Sequence, residues 1–197
     1  PIFLGGYPYN DTSIKFYNNT MYGTAENTYN LEIYTGATGT AGIEIKNNIF
    51  YITGVGSASR CLFDIGEPLL EANHTNNLYF ATDGGNVVTS GTTNYTGATV
   101  GTWETVGVQT ADPTFTGSSG VDLPTGFSGT YGSNMVPNKP YFSLQAGSPA
   151  LNNGAVLPTP YSKAINNAGT DSTYTRGTSW DIGAYEATLT GGATITN

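Results

Sequence analysis

Apolar and polar residues alternate along three short stretches of the chain: Ile14-Lys15-Phe16-Tyr17, Ile43-Glu44-Ile45-Lys46 and Ala72-Asn73-His74-Thr75. Alternation of period two predicts strands with one buried and one outward face, whereas a helix needs apolar spacings of three and four, which these stretches lack. Each stretch runs into a pair of asparagines, Asn18/Asn19, Asn47/Asn48 and Asn76/Asn77, and the pairs are 29 residues apart at both steps. A second short strand follows each pair, in TMYG, IFYI and LYFA. A fixed period of this length marks stacked supersecondary units that bury their faces against one another. The prediction is an all-β chain, a solenoid of short parallel strands with coils of about 29 residues. A third strand per coil is expected at LEIY (Leu31) and CLFDI (Cys61), where the spacing from Gly36 to Gly66 slips to 30.

The asparagine pair is the corner. Asn tolerates the left-handed backbone region, and its carboxamide bonds to equivalent carboxamides when strands stack at about 4.8 Å. One Asn of each pair is expected to make the bend and the other the ladder, and the ladder is assigned to Asn18, Asn47 and Asn76. Parity then sets the faces. Ile43 and Ile45 point inward, so Glu44 points outward beside Lys15 of the adjacent coil. After the corner, Met21, Phe50 and Tyr79 are assigned to the core. Tyr22, Tyr51 and Phe80 are left as an outward aromatic strip on which the apolar face of a glycan could stack.

Past Tyr95 the period fades: position 105 falls in GTWETVG, which carries no Asn pair. The expected organisation is therefore residues 1–96 as the coils and residues 97–197 as a capping and wrapping region of short strands and turns, covering the edge that a solenoid leaves unpaired.

The alternating stretches with NN at the corner resemble the coils of right-handed parallel β-helices of the pectate-lyase-like superfamily. Three blocks in the second half, ADPTF (Ala111), YFSLQAGSPALNNG (Tyr141) and RGTSWDIGAYE (Arg176), resemble in the same order the end of secreted bacterial choice-of-anchor Q proteins. The resemblance implies a right-handed parallel β-helix in a secreted or cell-surface protein. It implies a closing, structural role for Arg176 and Asp181, and it carries over no catalytic residue.

Composition narrows the partners. Charged residues make up 10% of the chain and the net charge is −8 with six Lys and Arg, which argues against nucleic acid, since phosphate binding needs a basic stripe. No run of apolar residues is long enough to span a membrane as a helix. The lone Cys61 is expected to pack in a strand, and the opening IFLGGYPY reads as the inside of a folded domain, so the expectation is either a processed mature chain or a fragment that lacks N-terminal coils.

His74, the single histidine, occupies the position held by Phe16 and Ile45 and is expected to be a buried structural residue. Asp64, Glu67 and Glu71 near Arg60, or Asp83 with Asn86, offer hard oxygen ligands for Ca²⁺, as in β-helix lyases that neutralise a uronate with the metal. A solvated acidic loop is the commoner outcome of such a cluster, and no cofactor is assigned. The leading expectation is a non-catalytic extracellular or cell-surface module, structural or contacting a polysaccharide or cell-surface glycan. The alternatives are a lyase or hydrolase of acidic polysaccharide, and a homo-oligomer stacking end to end into filaments.

Overall fold

The computed structural model describes residues 2–6, 14–23, 29–35, 42–53, 59–66, 73–116, 142–166 and 174–187. In chain order the first strands are β1 (Ile2–Gly6), β2 (Lys15–Tyr17), β3 (Thr20–Gly23), β4 (Tyr29–Thr35), β5 (Glu44–Lys46), β6 (Ile49–Ile52) and β7 (Arg60–Gly66). They are followed by β8 (His74–Thr75), β9 (Leu78–Ala81), β10 (Asn86–Ser90), β11 (Thr93–Thr96), β12 (Lys163–Asn166), β13 (Tyr174–Thr175) and β14 (Tyr185–Glu186). A 3-10 turn spans Val100–Thr102.

The architecture is all-β and dominated by parallel pairing. One sheet runs β2-β5-β8, a second β3-β6-β9, and a third β1-β4-β7-β10-β11, in which β11 alone is antiparallel. In the first two sheets the register repeats the 29-residue period: Phe16 pairs with Ile45 and Ile45 with His74, while Met21 pairs with Phe50 and Phe50 with Tyr79. The third sheet is looser. Ile2 pairs with Leu31, Leu31 with Leu62 and Leu62 with Val88, steps of 29, 31 and 26 residues. The step between β4 and β7 is thus 31, not the 30 expected from the glycines, because the segments joining β3 to β4 and β6 to β7 differ in length and absorb insertions.

Inward side chains of all three sheets meet in one core of Ile43, Ile45, Phe50, Tyr79, Leu31, Ile33, Leu62 and Val88. Phe50 and Tyr79, at equivalent positions, stack with ring centroids 5.3 Å apart, and Phe16 of the adjacent sheet packs on Phe50 at 6.3 Å. Cys61 is buried and free, and burial pushes its thiol pKa up. At the far end Val100, Trp103 and Val108 pack against this core. A second cluster forms on the other face of the β3-β6-β9 sheet, where Phe115, Leu144, Ala150 and Ile182 lie on Ile49, Tyr51 and Leu78. The described part of residues 97–187 is therefore joined to the strands by apolar packing. At the outward face of β2 and β5, Glu44 meets Lys15, Lys46 (2.8 Å) and the Tyr17 hydroxyl (2.5 Å), as the parity argument expects. Such half-exposed pairs contribute at most about 1 kcal/mol.

Candidate functional site at the asparagine corner

The two asparagines of each pair do different work. Asn18, Asn47 and Asn76 have φ of 56°, 57° and 54°, the left-handed conformation that turns the chain between the strands. The bend turns these side chains away from the ladder, where Asn47 is nonetheless fully buried. The second members stay inside it: Asn48 and Asn77 are fully buried, and Asn19 Nδ2 donates to Asn48 Oδ1 as Asn48 Nδ2 donates to Asn77 Oδ1, both at 3.0 Å. The same oxygens also accept the backbone N–H of the preceding residue in the ladder, Asn19 and Asn48, at 3.0 Å. The ladder assigned above to Asn18, Asn47 and Asn76 therefore runs through Asn19, Asn48 and Asn77. In the outer set only Asn47 reaches a neighbour, donating to Asn18 Oδ1 at 3.1 Å.

The outer asparagines instead hold the C-terminal segment. Asn76 donates to Asn153 O (2.9 Å), Asn47 to Ala155 O (2.7 Å) and Asn18 to Tyr161 O (3.0 Å), so successive residues of the segment descend the corner one level at a time. Ala155 N returns a bond to Asn47 Oδ1 at 2.7 Å, and Gly183 N donates to Asn47 O at 2.8 Å. Gly183, at φ 99°, lies so close that a Cβ there would stand 2.7 Å from both Ile49 Cδ1 and Thr20 Oγ1. No other residue fits that approach.

The ladder ends on Glu104, a residue the sequence reading passed over. Its carboxylate accepts Asn77 N at Oε1 (2.8 Å) and both Asn77 Nδ2 (2.9 Å) and Tyr79 OH (2.8 Å) at Oε2. Every ladder residue offers donors to the next, so the terminus must be all acceptor, which a carboxylate is and an amide is not. Burial, and then the Glu104 charge, push the Tyr79 phenol well above its ordinary pKa. Gly107, at φ 70°, stands where a fourth bending Asn would be; Val106 O accepts from Asn76 N (2.9 Å) and Gln109 bridges Leu78. The signal in the sequence was WETVG itself, with Gly107 31 residues after Asn76 and Glu104 27 residues after Asn77 rather than 29.

His74 is buried, its ring stacked on Trp103 at 3.9 Å with Nδ1 3.7 Å from Glu104 Oε2, beyond hydrogen-bond distance. In the closing block, Arg176 is buried and donates to Glu186 Oε2 (2.6 Å), Asp181 O (2.8 Å) and Gly183 O (2.5 Å). Asp181 accepts Asn152 N (2.8 Å) and Ala187 N (2.6 Å). Burial lowers the Arg176 pKa and raises that of Asp181; for Glu186 burial outweighs the attraction of Arg176 and lifts the pKa to about 7.

The aromatic strip is not open. Tyr22 and Tyr51 stack at 4.8 Å and Phe80 follows at 5.2 Å, but Phe115 lies 5.8 Å from Tyr51 and Phe142 5.8 Å from Tyr22. Tyr51 is 5% exposed, and burial first, then Asp112, push its pKa to about 12. The glycan platform assigned to Tyr22, Tyr51 and Phe80 is thus corrected to the floor of the second core, since a strip this apolar is covered by Phe115 and Phe142. Of the proposed Ca²⁺ ligands, Asp64 is buried and accepts from Ser90 Oγ at 3.0 Å, Asp83 accepts Gly85 N at 2.9 Å, and Glu67 and Glu71 lie outside the described residues. Among the described residues no three His, Cys, Asp or Glu side chains converge. Arg60 is buried and donates to Thr89 Oγ1 (2.8 Å) and Ser59 O (2.7 Å). No helix among the described residues is long and apolar enough to cross a membrane. No protein-family model, no curated protein and no solved structure matches this chain.

Proposed function

We propose that the chain is an architectural, non-catalytic module of the extracellular space or cell surface, wound as a right-handed parallel β-helix that residues 97–197 wrap and cap. The 29-residue register shared by two sheets and the inward Asn ladder support the winding, as does the resemblance of the repeats to pectate-lyase-like coils. One observation carries the architectural role: the buried ionisable groups around the corner are bonded into the stack itself. Glu104 terminates the ladder, and Arg176, Asp181 and Glu186 bind backbone and one another. Groups so committed stabilise a surface and a shape; acid–base catalysis needs a group within reach of a substrate proton.

The test is incubation of the whole chain with pectate, alginate and chondroitin, with and without Ca²⁺, across pH, following the ultraviolet absorbance of unsaturated uronate. No turnover is expected. Turnover lost in Arg60→Ala or Lys46→Ala would establish the lyase alternative instead.

Contact with a neutral glycan is a second reading, favoured by a cavity of about 260 Å³ beside the strip's last ring, lined by Phe80, Gly84, Gly85, Thr96, Ala98 and Thr110. Glycan-array binding that is lost on filling the cavity with Ala98→Trp would support it, and binding unchanged by that substitution would refute it.

A further inference from the structure

We infer that the edge formed by β1, β2 and β3 is a docking surface for one more level of extended polypeptide, running parallel to those strands and setting a side-chain amide over Asn19. The inference rests on the β-helix reading and names the partner of that module. Its ground is the polarity of the ladder. Asn48 Oδ1 and Asn77 Oδ1 each accept two N–H groups from the level before, and Glu104 closes the far end with acceptors only. Asn19 Oδ1 is the one ladder oxygen, among the described residues, that receives no donor. All three parallel sheets end on a strand of this same set.

Burial changes in the same sense. Ile45 and His74 are buried where their equivalent Phe16 is half-buried, and Phe50 and Tyr79 are fully buried where Met21 is half-buried. The far end carries its own lid, with Val100 and Glu104 fully buried and Trp103 stacked on His74. The near end thus offers apolar side chains, an unused amide oxygen and a parallel strand edge in the 29-residue register. Such an edge selects another extended chain, because main-chain bonds give affinity and the alternating side chains give register. An Asn at its corner would supply the two N–H donors that Asn19 Oδ1 lacks.

The probe is a synthetic peptide of residues 42–53, GIEIKNNIFYIT, titrated into the isotope-labelled 197-residue chain and followed by NMR. Shifts confined to residues 2–6 and 14–23 are expected, with binding about tenfold weaker for the same peptide carrying Asn48→Leu, the equivalent of one or two lost hydrogen bonds. In the chain, Lys15→Pro should abolish binding at unchanged melting temperature. Glu44 N donates to Ile14 O, so by equivalence the Lys15 N–H points away from the stack, and edge strands accept proline. No binding, equal affinity of the two peptides, shifts at β11 instead, or self-association of the chain through β1–β3 would each overturn the inference. Cross-strand contacts of β2, β5 and β8 in the same spectra report the stack separately, so failure of docking and failure of the β-helix reading are told apart.

Discussion

Replacing Asn48 with Leu removes the centre of the ladder. Its Oδ1 accepts Asn19 N and Asn19 Nδ2, and its Nδ2 donates to Phe16 O, Lys46 O and Asn77 Oδ1, in a position with no solvent exposure. Leucine keeps the branched shape but is larger than asparagine, so a modest overpacking cost adds to the polar one. Asn19 N is left facing hydrocarbon at roughly 1–3 kcal/mol, and the bonds to Phe16 O, Lys46 O and Asn77 Oδ1 are lost at about 0.5–1.5 kcal/mol each, offset in part by the apolar burial of the leucine. A loss of about 3–5 kcal/mol follows, which for a chain of this size lowers Tm by roughly 6–20 °C. The control is Asn47→Gly at the adjacent position. Glycine adopts such a φ freely, as Gly107 does at 70° two levels on, so only the bonds to Ala155 and Asn18 are lost, about 1–2 kcal/mol. Thermal and denaturant unfolding of both variants read the difference. Equal losses at the two positions, or a larger one at Asn47, would refute the division of labour between the asparagines.

Glu104→Gln puts an amide donor against Asn77 N in one orientation or against Asn77 Nδ2 and Tyr79 OH in the other, and should cost about 2–3 kcal/mol, read by chemical unfolding; a neutral effect would deny Glu104 its terminating role. Tyr51→Ala should cost about 3–5 kcal/mol as a core truncation, and a melting temperature like that of the parent would mean that the strip is open after all. Because the Glu186 pKa is raised from 4.5 to about 7 in the folded chain, the native state holds its proton more tightly. The associated stability is complete below 4.5 and is lost as pH rises through 7. Glu186→Gln should flatten that part of the stability profile, and an unchanged slope would assign it to another group.

The near-copies carried the strand order, the faces and the two-way division of the asparagine pair, because backbone geometry and burial demand the same residue type at each level. Which Asn bends was not legible: both tolerate positive φ, and only the direction of the following strand decides that Asn18 turns outward and Asn19 inward. Glu104 and Gly107 were hidden because other chemistry meets the same two needs, a carboxylate for an acceptor and a glycine for a positive φ, two residues out of register. The covering of Tyr22, Tyr51 and Phe80 depended on Phe115, Phe142 and Ile182, whose distance along the chain no local pattern encodes. The RGTSWDIGAYE block reads as closing the domain, but the insertion of Gly183 against Ile49 and Thr20 has no local pattern in the sequence.

Scalar couplings across hydrogen bonds test the central claim most directly, since they exist only between a donor nitrogen and the carbon of the group it binds. The account predicts couplings from the backbone nitrogens of Asn19 and Asn48 to the side-chain Cγ of Asn48 and Asn77, each joining residues 29 apart. Couplings that instead join the side chains of Asn18, Asn47 and Asn76 at every step, or none across that spacing, would contradict it.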